Sequence, residues 1–450
     1  MFAFSLPQPP ATQSTFISKF ALLGCLLVTL AGSSIAQAQT PVKIPQATLD
    51  RVIKEKGAKP SFESFLLAKL TEAEKLLATN CPIDDETVGI SLLDRRSNKI
   101  YTVTMNKANF LTAGYQQQFE LSDGLSVNVR VDQPNFINTK LSVEAQSGLF
   151  LPLTVKYPIV KRGTLKEIGY YTPAHRSIQT ANLAKLGEQY IEKVLSDAAK
   201  VLKRNGLEIP EKTRKLAQHL CIVEHIDHDR FRNEEPSTLF KEVLALYALN
   251  RNDCYRYSVS SAGAGGMVQM ISSTYREIKN SFPQVNWVSD FEAGMINHAN
   301  AAKAMLLYLN RYGEYFLGQE RVQSALEAGW ATEQELMAAG YNSNPIRVPG
   351  KLTHGENWKY ALPSETQTYL RILHSLDSSI TTEPPRYHAK PVIYQTSKRV
   401  KVRQAVAKSH LKSHRVKLRN RIKTSLRNRS TSRTAVKSKR SYIRKNQRRR

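Results

Sequence analysis

The chain has 450 residues, of which 41 % are hydrophobic and 23 % charged, and its formal net charge is +27. This composition excludes a collagen-like, coiled-coil or wholly disordered chain and leaves room for roughly two to four domains. The excess charge belongs to one end, because residues 386–450 hold 24 Lys or Arg and no Asp or Glu, which leaves 41 basic against 38 acidic side chains elsewhere. A nearly neutral remainder removes the compositional argument for a nucleic-acid-binding fold.

Residues 1–38 have the pattern of a secretory signal peptide. Lys19 precedes an apolar run, residues 20–35, that is too short to span a bilayer, and small residues stand at Ala36 and Ala38. We expect cleavage after Ala38 and export of the mature chain to the periplasm or cell envelope, or secretion beyond it. An uncleaved membrane anchor is the alternative.

The next two segments are a helical lead, residues 39–84, and a small β domain, residues 85–165. Apolar residues recur at helical spacing over residues 61–80, which predicts a packing helix. Beyond that helix, apolar and polar residues alternate in several runs that are separated by Asn, Asp and Gly. We predict an accessory antiparallel domain here, with no residue cluster that suggests chemistry. The runs are residues 99–105, 125–131, 141–143 and 149–160.

Residues 166–380 are predicted to be mainly helical. One helix is expected to end at Gly206, and the next is expected to begin at Pro210, whose missing N–H costs nothing in the first turn. The sequence contains no phosphate loop, no G-x-S-x-G elbow and no dinucleotide fingerprint. Five residues are predicted to share the buried face of the first helix: Leu186, Tyr190, Val194, Ala198 and Val201.

The basic tail, residues 381–450, has no periodic apolar pattern and repels itself, so we expect it to be disordered in isolation. For an exported protein, the expected counter-charges are anionic envelope polymers or a membrane surface, bound weakly and with strong salt sensitivity. A solvated tail without a dedicated partner is the alternative, and export argues against nucleic acid.

Signal cleavage would leave three cysteines, Cys81, Cys221 and Cys254. An oxidising compartment would permit one disulfide, for which Cys221 and Cys254 are candidates. The cysteine spacing is not typical of a metal knuckle or of a disulfide framework.

Glu224 is the candidate general acid. Leu216, Leu220 and Glu224 follow one another at four-residue spacing, so the carboxyl group continues an apolar stripe near the end of the helix from Pro210. Partial desolvation and the negative end of the helix dipole both raise a carboxyl pKa, which leaves an acid able to donate a proton near neutral pH. The alternative is an ordinary helix-end residue paired with a nearby Arg.

A glycine-rich turn that runs into a helix begins at Ser260 and reads SSAGAGGMVQMISSTY. Glycines at Gly263, Gly265 and Gly266 are expected to let backbone groups approach a sugar ring. Ser260 and Gln269 offer directional hydrogen bonds. The turn is therefore a candidate for one wall of a glycan site.

This segment resembles the signature of the soluble lytic transglycosylase family, which runs Ser, Gly-Ala, Gly-Leu-x-Gln and then Thr-Ala or Thr-Tyr. Here Met267 replaces the Leu, and Ser261 and Ser272 replace two prolines. Two later segments are similar to further family motifs in the same order: AAGYNSNP at residues 338–345 and LPSETQTY at residues 362–369.

The resemblance covers residues 182–378 and implies a lysozyme-like α-helical domain that cleaves the MurNAc–GlcNAc bond of peptidoglycan. Glycan strands are then the expected partner, with no cofactor and no metal, and Glu224 is implied as the single catalytic acid/base. The residues implied to line the glycan groove are Ser260, Gly263, Gln269, Tyr341 and Asn342.

The family dispenses with the second carboxylate that most hydrolytic glycosidases use. The resemblance implies that the acetamido group of the substrate assists departure of the leaving sugar. The same Glu then deprotonates the MurNAc 6-hydroxyl, which closes on C1 as a 1,6-anhydro product. A residue that is first acid and then base needs a pKa between the two roles. Tyr341 is expected to hydrogen-bond Glu224 or the distorted sugar.

The match departs from the family pattern after Glu224. His225 stands where the family has Ser, and Ser260 follows 36 positions after Glu224. The segment between them, residues 231–257, has a helical apolar pattern of its own and is predicted to be an inserted helix. Glu242 on that helix is the rival acid.

Two other functions compete with the transglycosylase prediction. Cys221, Glu224 and His225 resemble the H-x-x-E-H zinc signature with Cys in the first position, and His228 lies three residues further on. A non-catalytic peptidoglycan-binding protein would keep the groove without the chemistry. The predicted fold class is α+β: a lysozyme-like α-helical catalytic domain preceded by a small antiparallel β domain, with a disordered basic C-terminal tail.

Overall fold

The structure is a computed structural model that describes residues 62–146 and 149–380. Within these ranges the chain is α+β, with antiparallel strands followed by helices, which confirms the predicted class at that level. The predicted signal peptide at 1–38, the lead segment before residue 62 and the basic tail at 381–450 lie outside the described residues. No helix in the described part is long and apolar enough to cross a membrane.

Helix α1 (Phe62–Asn80) packs on a four-stranded antiparallel sheet in the order β2-β1-β6-β7. Its buried face is formed by Leu66, Leu70, Ala73 and Leu77 at the helical spacing predicted from the sequence. The strands of this sheet are β1 (Thr87–Asp94), β2 (Ile100–Asn106), β6 (Phe150–Lys161) and β7 (Thr164–Tyr171).

A second antiparallel sheet has the order β3-β4-β5. Its strands are β3 (Gln116–Glu120), β4 (Ser126–Gln133) and β5 (Lys140–Ala145), and the short helix α2 (Lys107–Phe110) precedes it. Strand β7 continues beyond residue 165, where the β domain was expected to end, because its partner β6 is 12 residues long and pairs with it as far as Tyr171.

The rest of the described chain is helical. Its helices are α3 (Ala181–Arg204), α4 (Glu211–Val223), α5 (His228–Asn233), α6 (Pro236–Asn250), α7 (Ser272–Ser281), α8 (Phe291–Ile296), α9 (His298–Leu317), α10 (Glu320–Glu327), α11 (Glu333–Asn342), α12 (Val348–Lys351) and α13 (Ser364–Ile380). Turns of 3₁₀ helix occur at Arg176–Ile178, Arg251–Asp253, Gly266–Val268 and Leu352–Ala361. Helix α9 packs against α3, α4 and α11 and is mostly buried.

Helix α3 ends as predicted, with Gly206 in the left-handed region at φ +74° just after the helix. Its buried face differs from the predicted one. Tyr190 and Ala198 are buried, but the other predicted residues are only partly covered, because the face is centred on Gly187, where α6 crosses. The buried residues are Leu183, Ala184, Gly187, Tyr190, Ile191, Leu195, Ala198 and Leu202.

The three cysteines in the described residues are free and buried, so the candidate disulfide between Cys221 and Cys254 is wrong. The two thiols face different neighbours. Cys221 Sγ lies 3.8 Å from Met305 Sδ on α9, and Cys254 Sγ lies 3.8 Å from the Tyr171 hydroxyl on β7.

Candidate active site

Helix α4 delivers Glu224 to the site. The helix begins at Glu211, one residue later than predicted, with Pro210 as its N-cap. Glu224 is the C-cap residue, and its backbone N–H still donates to the Leu220 carbonyl at 3.0 Å. Because Leu220 and Val223 are fully buried, the last turn is anchored in the core and the carboxyl position is well defined.

The Glu224 carboxyl group is partly buried and has one close polar partner. The Tyr369 hydroxyl donates a hydrogen bond to Glu224 Oε1 at 2.6 Å. Burial raises the pKa of Glu224 to about 8, the Tyr369 hydrogen bond opposes that rise, and the nearby charge of Glu365 adds to it. At neutral pH most of the molecules therefore carry a protonated Glu224, as the apolar stripe predicted.

Glu224 opens onto a cavity of about 560 Å³. Four of the residues predicted to bind substrate share its walls, although they come from separate parts of the chain: Ser260, Gln269, Tyr341 and Asn342. The remaining wall residues include Tyr308 and Tyr312 from α9, Glu277 from α7, and Glu365 and Tyr369 from α13. The cavity is thus lined by aromatic, apolar and uncharged polar groups, with Glu224 as its partly buried carboxyl group and Glu277 and Glu365 as exposed ones.

The glycine-rich turn forms one wall of the cavity. Ala262 and Ala264 line the cavity, and Gly263 between them forms a left-handed corner at φ +75° without being one of the described wall residues. A Cβ on Gly266 would lie 2.4 Å from the Met295 carbonyl oxygen of α8. Gly266 is therefore required for packing against α8.

Ser260 and Gln269 close this turn. Ser260 Oγ accepts from the Ala264 N–H at 3.0 Å, and Gln269 Nε2 donates to the Gly266 carbonyl at 2.8 Å. Gln269 has φ +44° and ψ +44°, an uncommon conformation for a residue with a side chain. The first hydrogen bond closes the turn, and the second holds the Gln269 side chain at the cavity wall.

Tyr341 and Asn342 lie at the end of α11. The Tyr341 hydroxyl donates to the Val268 carbonyl at 2.6 Å and makes no hydrogen bond to Glu224, which was one of its two expected roles. Asn342 Oδ1 accepts from Thr366 Oγ1 at 2.8 Å, so α11 and α13 are tied together beside the cavity.

Tyr369 is the functional residue that sequence reasoning missed. It is the last residue of the LPSETQTY segment, and Glu365 precedes it by one helical turn on α13, so both side chains reach the cavity. The available signal was the resemblance of this segment to a family motif. The resemblance alone does not give the tyrosine a role.

The rival acid, Glu242, is held as an ion. Burial alone would raise the pKa of Glu242, but hydrogen bonds and charges from Arg230 and Lys140 lower it. Arg230 Nη1 lies 2.5 Å and Lys140 Nζ 3.0 Å from the carboxylate. An acid that is ionised and doubly paired cannot donate a proton near neutral pH.

The residues of the zinc alternative do not converge. The Cys221 thiol points at Met305 in the core. The His225 ring stacks on Tyr255 at 3.5 Å, its Nε2 faces the Met267 carbonyl at 3.1 Å, and burial lowers its pKa to about 3. The described residues contain no group of three or more His, Cys, Asp or Glu arranged to hold a metal ion.

Comparison with protein-family models, with curated proteins and with solved structures finds no match to this chain. The function is therefore inferred from the chemistry of the cavity around Glu224.

Proposed function

We propose that this protein is a peptidoglycan lytic transglycosylase with a lysozyme-like helical domain, which cleaves the MurNAc–GlcNAc β-1,4 bond and leaves 1,6-anhydroMurNAc ends. The observation that carries the proposal is the partly buried Glu224, with its pKa raised to about 8, at the wall of a cavity whose other two carboxyl groups, Glu277 and Glu365, are exposed. The fit of three ordered sequence motifs to that one cavity supports it.

The first step needs an acid. Glu224 holds its proton at neutral pH and donates it to the glycosidic oxygen, so that the GlcNAc O4 leaves as a hydroxyl while the acetamido group of MurNAc assists at C1. Burial keeps the proton on the carboxyl group at neutral pH, so the acid form is present when the glycosidic oxygen has to be protonated.

The second step needs a base. Once Glu224 has lost its proton, the Tyr369 hydroxyl stabilises the carboxylate through the 2.6 Å hydrogen bond. The carboxylate then takes the proton of the MurNAc 6-hydroxyl, and that oxygen closes on C1. The acid is restored, the acetamido group is released, and no water is consumed.

In this proposal Glu365 is not a second catalytic carboxylate, and it acts only through its charge on the pKa of Glu224. Glu365 lines the cavity but is exposed, and its negative charge helps to keep Glu224 protonated. A charge that acts through solvent in this way contributes modestly to the pKa. Burial of Glu224 contributes the larger part.

The test is the substitution Glu224→Gln in the mature protein, assayed on purified sacculi with mass spectrometry of the products. We expect at least a ~10³-fold loss of turnover, because the amide keeps the shape but cannot transfer the proton. The control is Glu211→Gln, an exposed carboxyl at the start of the same helix, which should leave turnover unchanged.

The products separate the remaining functions. A 1,6-anhydro end is lighter than a hydrolysed end by one water. Hydrolysed ends, together with loss of activity in Glu365→Gln, would instead indicate a two-carboxylate glycosidase. Sacculus binding without any product release would indicate a binding protein, and near-normal turnover of Glu224→Gln would rule that residue out as the catalyst.

A further inference from the structure

A second cavity, of about 280 Å³, adjoins the first at Glu224. Four residues line both cavities, so the acid lies where they meet: Glu224, Ile226, Ser260 and Gln269. The opposite wall of the second cavity comes from the β region, which sequence analysis treated as accessory and without chemistry. It is formed by Gln133, Asn135, Asn138 and Lys140, at the end of β4, in the following loop and at the start of β5.

The loop of residues 134–139 is fixed against the helical region at two points. Gln133 Nε2 donates to Asp227 Oδ2 at 3.2 Å, and Asn138 Nδ2 donates to Ser258 Oγ at 3.1 Å. Asp227 caps α5 and Ser258 precedes the glycine-rich turn, so both ties connect the loop to walls of the same cavity. The loop is therefore part of the site and is not a free surface hairpin.

Phe136 at the tip of this loop is exposed despite a costly backbone conformation. Its side chain is 63 % exposed, although φ is +45°, which is rare for an aromatic residue. The conformation is held by Thr139 Oγ1, which accepts from the Asn135 N–H at 2.9 Å and donates to the Phe136 carbonyl at 2.7 Å. Packing does not explain why an aromatic ring is presented here, whereas stacking on a flat ligand does.

The polar groups of the second cavity indicate an uncharged ligand. Its two cations, Lys140 and Arg230, are both paired with Glu242, which leaves no free positive charge for an anion. The rest of the polar wall includes four amide side chains, two serines and two carboxyl groups: Gln133, Asn135, Asn138, Gln269, Ser258, Ser260, Glu224 and Asp227. Groups of this kind hydrogen-bond hydroxyl and acetamido groups of a neutral ligand.

We propose that this second cavity binds the N-acetylated sugars of the glycan strand that lie beyond the scissile bond, so that the β region forms one half of the substrate groove. Phe136, which follows the wall residue Asn135 directly, stacks on a sugar ring beside the cavity. The inference rests on the proposed function, because it assigns the occupant of the same groove.

The test uses the full chain with Glu224→Gln, titrated calorimetrically with N-acetylglucosamine trimers and hexamers. We expect the hexamer to bind more tightly than the trimer, and Phe136→Ala to remove about tenfold of that gain while leaving trimer binding nearly unchanged. Phe136→Tyr, which keeps the ring, should retain the gain. Ile83→Ala, which truncates an apolar side chain with a similar exposure of 70 % in the connection between α1 and β1, is the control.

Kinetics provide the second readout. In the active protein, Phe136→Ala should raise KM for long peptide-free glycan strands about tenfold while kcat changes less than threefold, as expected for a contact made equally in the ground and transition states. A merely structural role would lower kcat or the melting temperature instead.

The outcomes separate the two proposals. If sacculi are cleaved but Phe136→Ala and Asn138→Ala bind the hexamer as well as their parent does, the second cavity is not a glycan site and the proposed function stands. Binding that requires stem peptides would also overturn the inference. If the Glu224→Gln protein binds neither oligomer and the active protein releases no anhydro ends, both proposals fall.

Discussion

The pKa of Glu224 results from three contacts that act in different directions. Burial raises it, the Tyr369 hydroxyl lowers it, and the charge of Glu365 raises it again, with about 8 as the outcome. The Tyr369 hydroxyl can be removed without changing the volume of the core, since Phe has nearly the same shape. Tyr369 is almost fully buried, so its ring also keeps solvent from the far side of the carboxyl.

We therefore predict that Tyr369→Phe raises the pKa of Glu224 above its value of about 8, because the lost hydrogen bond favoured the ionised form. The alkaline limb of the pH–rate profile, which the proposed mechanism puts near pH 8 in the wild type, should move to higher pH. Turnover should fall about 10- to 100-fold, because the carboxylate formed in the first step loses its donor.

The measurement is kcat against pH on soluble glycan strands. Tyr190→Phe is a suitable control, because its buried hydroxyl bonds Asn252 and His298 and does not reach Glu224. An unshifted alkaline limb in Tyr369→Phe would mean that Glu224 is not the group that titrates.

At the scale of elements, the segment between Glu224 and Ser260 contributes to the walls of the second cavity. The segment forms two helices, α5 and α6, where one was predicted. Glu242 on α6 binds Arg230 on α5 and Lys140 on β5, so one buried carboxylate connects three elements around the second cavity. Removing one partner of such a network leaves a buried charge unpaired. The free energy of unfolding then usually falls by more than the intact network contributes to it.

The α3–α6 contact depends on a glycine. A Cβ on Gly187 would lie 1.8 Å from the Leu244 carbonyl oxygen, so the two helix backbones can approach this closely only without a side chain at that position. Gly187 is on the buried face of α3, and Leu244 is on the long buried helix α6.

Gly187→Ala is expected to lower the free energy of unfolding by about 3 kcal/mol or more, because the helices must separate. Gly350→Ala is the matched control. Its Cβ would meet nothing within 4 Å, and it should be neutral or slightly stabilising. Urea denaturation of the three proteins measures the difference, and a Gly187→Ala protein as stable as the wild type would contradict the close helix contact.

At the scale of the whole molecule, the second cavity spans the junction between the β region and the helices, whereas the described walls of the first cavity come from residues 223–369 of the helical region. Glu224, Ser260 and Gln269 lie on the helical side of the second cavity, and Asn138 lies on its β side. The excess positive charge is separate from this site in sequence and belongs to residues 386–450, outside the described part of the chain.

Deleting residues 386–450 should therefore leave turnover on soluble glycan strands unchanged and weaken binding to anionic surfaces, since the deleted part holds 24 basic side chains and no acidic ones. Co-sedimentation with phosphatidylglycerol vesicles at about 50 and 300 mM salt measures the effect, which should vanish at the higher concentration. Equal binding of the full and shortened chains at low salt would refute an electrostatic role for the tail.

Local pattern was sufficient for several elements and for the choice of Glu224 as the candidate acid. The apolar spacing of α1, the alternation in β4 and the glycine that follows α3 all depend on neighbours a few residues apart, so they could be read from the sequence. Glu224 was found in the same way, because it continues the stripe of its own helix. By contrast, β3 has three consecutive Gln residues and no alternation, and its pairing with β4 is what makes it a strand.

The amino-acid sequence by itself determined which carboxyl group ends an apolar stripe, which glycine-rich turn is the candidate for the opposite wall, and that the excess positive charge lies in the C-terminal tail. Only the tertiary structure decided what surrounds that acid. Tyr369 is separated from Glu224 by 145 positions, and Asn138 reaches Ser258 across 120, so no periodicity links them. The physical reason is that a pKa and a cavity are set by desolvation and by neighbours in space, and these exist only after distant segments have packed together.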